Sequence, residues 1–491
     1  MTFRLNRRHG LRLGAGLLGV GLLGGGTAWL ERRSTSPRPS GPDLPNVIVC
    51  MSDDQGWGDV GYNGHPTIRT PHLDQMAAEG MRFDRFYAAA PVCSPTRGSV
   101  LTGRHPYRYG IYHANAGSLP RDEVTIAEAL GEQGYLTGHF GKWHLGTLTT
   151  EIDDGNRGGR EEHADAFSAP WMHGFDRSFS TESSVPLLDP SLDPITEQPS
   201  GTHYWTGPDE PVRERLSGDD SAVIMDRALA FVRRSVDAGR PFLAMIWFHT
   251  PHHPIKADPT FRSIYRDEPH ARQHYLGALT AMDLQIGRLR GELSALGAAE
   301  NTMLWFCSDN GPEDPERGKW LDHLSMRMQG STAGLRGRKY SLLEGGIRVP
   351  GLLVWPRRIA APRRVSMPCS TLDLLPTALA ATGWQGGTDR AVLDGESLMP
   401  LIVDGSGERS RPLPFWSLRQ QALIDGAWKI YSDDGGRSFS LFNLRRDPGE
   451  SHDVKDAQRR RHRAMIRTLR AWQADVRAEN PDLEREDDFG V

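Results

Sequence analysis

The sequence predicts an α/β protein. It has a large, mostly parallel central sheet flanked by helices, then a smaller C-terminal unit of antiparallel strands and a helix. Three observations carry this. Short apolar runs alternate with helical patterns from residue 46 onward, as in parallel strands joined through helices. Four of those runs end directly in polar, chemistry-bearing residues, as strands do at the carboxyl edge of an open parallel sheet. From about Pro414 the pattern changes to a hairpin and an amphipathic helix. The expected divisions are 1–45 (export signal or anchor plus linker), 46–405 (the large domain with the strand-end residues) and 406–491 (small C-terminal domain).

The elements follow in order. "MTFRLNRRHGLR" is basic, and the glycine-rich apolar run after it is near the lower limit of about 17 residues for a span. Arg7-Arg8 ahead of that run fits a twin-arginine export signal, with ordinary secretion equally open. No A-x-A cleavage site is visible, so an uncleaved membrane anchor also stays open. An exported, periplasmic or extracellular location is expected either way. "ERRSTSPRPSGPDLP" reads as a linker.

"NVIVC" reads as a buried strand, followed at once by Asp53-Asp54. "TPHLDQMAAEG" reads as a helix with Thr70 as N-cap, Pro71 in the first turn and Gly80 as the stop. Thr125 and Glu128 form a capping box for a helix stopping near Gly134. Strand "YLTGHF" leads to Lys142 and His144, and strand "PFLAMIWF" leads to His249 and His252. Tyr275, Leu279, Met282, Ile286, Leu289 and Leu293 mark a long amphipathic helix. Strand "TMLWF" then runs to Asp309-Asn310. "ALIDGAWKIY" reads as a hairpin with Asp425-Gly426 as its turn, and Met465, Leu469, Trp472 and Val476 as one helical stripe.

Composition excludes several classes. The 491 residues carry 58 Lys plus Arg against 62 Asp plus Glu, a formal charge of −4. No basic footprint for nucleic acid exists. Cys50, Cys93, Cys307 and Cys369 make no CxxC pair, so neither a disulfide framework nor a zinc pattern is present. Cys50 and Cys307 sit inside apolar strands and read as inert thiols. Cys93 is different, because it stands at a helix start beside Pro95 and Arg97.

Taken singly, each polar group at a strand end would be solvated loop polarity. Four in succession, on strands of one sheet, predict a shared crevice. Asp53, Asp54, Asp309 and Asn310 form an all-oxygen set suited to one hard cation such as calcium.

"CSPTRGSVLTGR" matches the C-x-P-x-R signature of the formylglycine-dependent sulfatases, in the alkaline-phosphatase-like superfamily. "SDDQGWGDVGYNG", "GKWHLG", "SDNG" and "RKYSLLEGGIRVPGLLVWP" resemble the other blocks of that family, in its order. The resemblance implies that a formylglycine-generating enzyme converts Cys93 to formylglycine, an aldehyde whose hydrate is the nucleophile. One hydroxyl of the hydrate takes the sulfuryl group, and the other then expels sulfate. The hard step is thereby split in two. Residue 93 at a helix N-terminus would also favour a bound anion.

The resemblance assigns Lys142 and Lys339 to sulfate contact, and Arg97 to fixing the nucleophile. His144 would take the hydrate's remaining proton. His252, in the histidine-x-proline position, would protonate the leaving oxygen, with His249 and His253 as rival choices. Asp309 would both bind metal and polarise the attacking hydroxyl. Ser184, or else Ser183, would touch sulfate. Three aspartates and a dication sum to −1, and Arg97, Lys142 and Lys339 bring the site to +2, to meet a monoanionic ester.

The expected substrate is a sulfated carbohydrate or aryl sulfate, with residues 147–216 as pocket wall, their aromatic rings either facing substrate or packing the loop. Two alternatives stay open: a phosphodiester or phosphonate monoester hydrolase, and a non-catalytic binder of sulfated glycans. A membrane contact is expected only through the N-terminal segment.

Overall fold

The computed structural model describes residues 44–313, 329–384, 392–405, 407–481 and 483. The expected export or anchor segment with Arg7 and Arg8 lies outside the described residues. Among the described residues, no helix is long and apolar enough to cross a membrane.

In chain order the first strands are β1 (Asn46–Ser52), β2 (Met81–Phe83), β3 (Phe86–Tyr87), β4 (Leu136–Lys142) and β5 (Arg177–Thr181). Then come β6 (Phe242–Trp247), β7 (Thr302–Ser308), β8 (Arg348–Val349), β9 (Gly351–Val354), β10 (Arg363–Val365) and β11 (Cys369–Ser370). The last four are β12 (Leu413–Ser417), β13 (Gln420–Asp425), β14 (Trp428–Ser432) and β15 (Ser440–Asn443). The helices are α1 (Pro71–Glu79), α2 (Cys93–Thr102), α3 (Ile126–Glu132), α4 (Asp220–Asp237) and α5 (Pro259–Ser263). They continue with α6 (His270–Ala295), α7 (Glu344–Ile347), α8 (Leu374–Thr382), α9 (Met399–Asp404) and α10 (Arg459–Glu479).

Eight strands form the central sheet in the order β10-β2-β9-β7-β1-β6-β4-β5. The four strands expected to end in chemistry are consecutive neighbours, β7-β1-β6-β4, and all run parallel. Their buried, apolar sequences suit strands covered on both faces. β9 alone runs antiparallel to both its neighbours. Alternate residues of β1 feed two cores: Val47, Val49 and Met51 on one face, Ile48 and Cys50 on the other.

Local signals explain the helices. Thr125 and Glu128 close the capping box of α3. The Leu279, Met282, Ile286, Leu289 and Leu293 stripe of α6 is buried. Thr70 stands at the N-cap position of α1, but its hydroxyl makes no cap: it accepts the Gly61 N–H at 2.8 Å and donates to Asp74. The short turn 61–63 competes for that oxygen and wins.

β12 to β15 form an antiparallel meander, and α10 covers it through Met465 and Leu469. The hairpin turn differs by one residue from the expected Asp425-Gly426. Asp425 pairs with Trp428, leaving Gly426-Ala427 as the two-residue turn. Gly426 has φ +55°, a left-handed conformation that glycine enters without steric cost.

Candidate active site

β1 and β7 pair in register, Ser52 opposite Ser308, so the residues after them emerge side by side. Asp54 takes φ +66°, uncommon for a non-glycine residue, which turns the chain sharply at the strand end. Its backbone N–H donates to Asp309 Oδ1 at 3.1 Å, and Asn310 Nδ2 donates to Asp54 Oδ1 at 2.7 Å. Asp53, Asp309 and Asn310 are fully buried, and Asp54 nearly so.

Cys93 is the first residue of α2, a helix buried along its whole length. Its Sγ lies 3.5 Å from Asp53 Oδ1. One turn later, Arg97 holds Asp309 Oδ2 through Nη2 at 2.7 Å and Nε at 3.1 Å. Arg97 also donates to the Lys142 carbonyl at 3.0 Å, which ties α2 to the end of β4. Lys142 Nζ reaches Asp53 Oδ2 at 2.6 Å. Lys339 Nζ reaches Asp54 Oδ2 at 2.7 Å and Glu313 Oε2 at 3.4 Å. Each lysine is thus engaged by one carboxylate of the Asp53-Asp54 pair.

The histidines differ in what holds them. Both ring nitrogens of His249 are spent, Nδ1 on Asp220 and Nε2 on Thr181, each at 2.8 Å, in a buried position. His252 Nδ1 lies 2.7 Å from the His253 carbonyl and 3.0 Å from Ser184 Oγ, while Nε2 faces Asp54 Oδ2 at 3.7 Å. A carbonyl only accepts, so Nδ1 carries the hydrogen and Nε2 is bare in the neutral ring. His253 stands farther out, its Nδ1 4.0 Å from Glu313 Oε2. His144 Nε2 faces Asn115 Oδ1 at 2.8 Å. Ser183 is bonded to Asn156 at 2.9 Å rather than to a histidine.

Burial and charge shape the titration of these groups. Burial pushes the Asp54 carboxyl well up despite Lys339, with Glu313, Asp53 and Asp309 adding to the rise. Asp309 is raised by burial and by Asp53. Asp53 goes the other way: burial is outweighed by Lys142, His252, Arg97 and Lys339. Burial raises the Cys93 thiol well above its ordinary range, so an unmodified cysteine here would be a protonated, weak nucleophile. His144 is held neutral by burial, Lys142 and Arg97, and His252 by burial, His253 and Lys142.

The same atoms fit a cation. Ligand atoms of Asp53, Asp54, Cys93 and His252 all lie within 4.8 Å of one another. Asp309 and Asn310 flank this group through their bonds to Asp54. Asn310 Oδ1 is buried without a hydrogen-bond partner among the described residues. Asp53, Asp54, Asp309 and Glu313 outnumber Arg97, Lys142 and Lys339 around this site, so the cluster is short of positive charge. With oxygen donors predominating, the group suits a hard metal ion.

A buried cysteine at a helix start, near two lysines, a histidine and an acidic cluster that could hold a cation, is the setting in which comparison with known proteins becomes informative. The family model described as Sulfatase matches residues 45–384, more than half of the chain. This chain belongs to the sulfatase family. It is accordingly a sulfuric ester hydrolase. The sulfatase is 35% identical to human arylsulfatase A over 455 residues, 84% of this chain and 83% of that one. It is 30% identical to mouse steryl-sulfatase, covering 89% of this chain and 83% of the relative. Among solved structures, "Ps i-CgsB in complex with k-i-k-neocarrahexaose" superposes with a TM-score of 0.75 at 27% identity, over 89% of this chain and 94% of the other. The phosphonate monoester hydrolase of Agrobacterium radiobacter shares the fold at a TM-score of 0.62 and 18% identity.

The structure brings together Cys93, Arg97, Lys142, Lys339, His252, Ser184 and the four metal candidates, and sets His144 at the Asn115 side. Sequence reasoning missed Glu313, Asn115 and Asn156. Glu313 stands two residues beyond "SDNG" and was legible by proximity. Asn115 and Asn156 lie in irregular loops with no strand end or motif to mark them. Tyr204 and Trp205, in the expected pocket wall, are buried: Trp205 Nε1 donates to Asp154 at 2.9 Å, so these rings pack the loop.

Proposed function

We propose that this sulfatase cleaves the sulfate ester of a sulfated carbohydrate or aryl sulfate, using formylglycine made from Cys93 and one calcium ion. The observation that carries this reading is Cys93 itself. It is buried at the start of α2, 3.5 Å from Asp53, and raised well above the range in which a thiol acts as a nucleophile.

Asp53, Asp54, Asp309 and Asn310 would hold the calcium, which would supply positive charge to balance the anionic ester. Formylglycine supplies an aldehyde hydrate, able first to accept the sulfuryl group and then to release sulfate. The chain's own residues do the rest. Lys142 and Lys339 bind and orient the anionic ester, with Ser184 as a further donor. Arg97, fixed by Asp309 and the Lys142 carbonyl, sets residue 93 against the acidic cluster. His252 delivers a proton from Nε2 to the departing oxygen. The bare Nε2 of the neutral ring must first be protonated, and an arriving sulfate anion favours that. His144, held neutral, accepts a proton during sulfate release.

The relatives named arylsulfatase A and N-acetylgalactosamine-6-sulfatase support the aryl sulfate and sulfated-carbohydrate classes. The basic, apolar N-terminal run supports export to the periplasm or cell exterior, with maturation by a formylglycine-generating enzyme.

Mass spectrometry of the tryptic peptide Phe86–Arg97 tests the central point. Formylglycine, or its hydrate, in place of the Cys93 thiol is the expected result, together with about one calcium per chain by elemental analysis. Active enzyme with only a thiol there, or with tightly bound zinc, would overturn the reading. Turnover of an aryl phosphodiester faster than an aryl sulfate would favour the phosphonate-hydrolase alternative.

A further inference from the structure

We propose that Asn115 decides which nitrogen of His144 takes the proton, and is therefore a positioning residue for sulfate release. The inference rests on the formylglycine reading above. Asn115 Oδ1 lies 2.8 Å from His144 Nε2. A carboxamide oxygen only accepts, so Nε2 must carry the hydrogen. The neighbouring amide matches this orientation, and Asn115 could turn over only if Asn156 turned with it. Asn156 Nδ2 donates to the same oxygen at 3.2 Å and to Ser183 Oγ at 2.9 Å, so a flipped Asn115 would set one NH2 group against another.

With Nε2–H committed, the neutral ring keeps a bare Nδ1. That atom is buried and has no hydrogen-bond partner among the described residues. The other tautomer would present an N–H there and could accept nothing. Backbone geometry supports a purpose-built contact. Asn115 has φ +61° and His144 φ +56°, both in the left-handed region that non-glycine residues rarely enter. Such conformations persist where surrounding contacts enforce them. His252 provides the contrast: its Nδ1–H is committed to the His253 carbonyl, leaving Nε2 bare. Two loops thus preset two histidines in opposite tautomers.

The test uses two substitutions in full-length enzyme whose formylglycine content has been verified. Asn115→Gly removes the acceptor while accommodating the positive φ. Asn115→Asp keeps an acceptor oxygen and also tolerates that backbone. With nitrophenyl sulfate in stopped flow, Asn115→Gly should show a burst of nitrophenol and a kcat about 10–100-fold lower, as for lost supporting contacts elsewhere. Because only the second step is slowed, KM should fall along with kcat and kcat/KM should stay within about threefold, and Asn115→Asp should recover most of kcat. A kcat for Asn115→Gly near wild type, or a loss confined to KM, would overturn the inference. So would an Asn115→Asp enzyme as slow as the glycine variant, because that outcome marks loop packing. Wild-type turnover with an unmodified Cys93 would sink the formylglycine reading and this inference with it. Normal Asn115→Gly kinetics with formylglycine present would sink the inference alone.

Discussion

Lys339 and Lys429 are both buried lysines held between two carboxylates, yet their surroundings differ in one respect. Lys429 Nζ sits 3.1 Å from Glu344 and 2.9 Å from Glu450, where the C-terminal sheet meets α7. The second oxygens there are also engaged: Glu344 Oε2 accepts from Tyr87 at 2.9 Å, and Glu450 Oε2 accepts the Glu344 N–H at 2.6 Å. Burial would raise Glu344, but Lys429, Arg348 and Arg85 pull it below the usual carboxylate range. Burial leaves its partner Glu450 raised, so the pair is split as Asp53 and Asp54 are around the site lysines. The charge count is what differs: Glu344 and Glu450 face Lys429, Arg348 and Arg85, whereas Asp53, Asp54, Asp309 and Glu313 outnumber Arg97, Lys142 and Lys339. Asp54 stays raised, chiefly by burial, despite Lys339 2.7 Å away. A closed network of buried charge joins two parts of a fold. One left short of positive charge has capacity for ligands.

The sharpest way to break this comparison is Asp54→Ala, which should abolish turnover and bound metal together. Elemental analysis beside an aryl sulfatase assay checks it. Retained calcium at full stoichiometry would mean that the acidic cluster is not the metal site.

A second test divides the open cluster between its histidines. His252→Ala should slow ester cleavage by about 10²–10⁴-fold, with the loss shrinking for good leaving groups such as nitrophenol. His144→Ala should lose a similar factor but release a burst of alcohol first, whatever the leaving group. Rates across esters of graded leaving-group acidity decide it, and exchanged patterns would exchange the two roles.

The closed cluster should answer in stability instead. Lys429→Ala strands two buried carboxylates and should destabilise the protein by about 3–5 kcal/mol, read by denaturant unfolding. Activity per folded molecule should stay within a few-fold of wild type. A variant as stable as wild type but inactive would place Lys429 with Lys339 and dissolve the distinction.

Much of this was legible in residue order. Apolar runs such as "NVIVC" and "TMLWF" specify buried parallel strands, and the polar residues after them fall at the carboxyl edge. Thr125 with Glu128 fixed a helix start through contacts three residues apart. Such signals survive in one dimension because their causes are local. Thr70 and the Asp425-Gly426 turn misled for the same reason. A distant amide claimed the Thr70 hydroxyl, and cross-strand register moved the turn by one residue.

The sequence by itself determined the α/β class, the four chemistry-bearing strand ends and the cysteine at a helix start. Periodicity, capping and motif spacing depend on neighbours along the chain. Only the tertiary structure decided that those four strands are consecutive and parallel, and that His249 is spent on Asp220 and Thr181. It alone brought Asn115 to His144, 29 residues away in the chain, and Glu313 to Lys339, 26 away. These pairings depend on long-range packing, where a side chain's partner is set by how loops close over the sheet edge and not by its place in sequence.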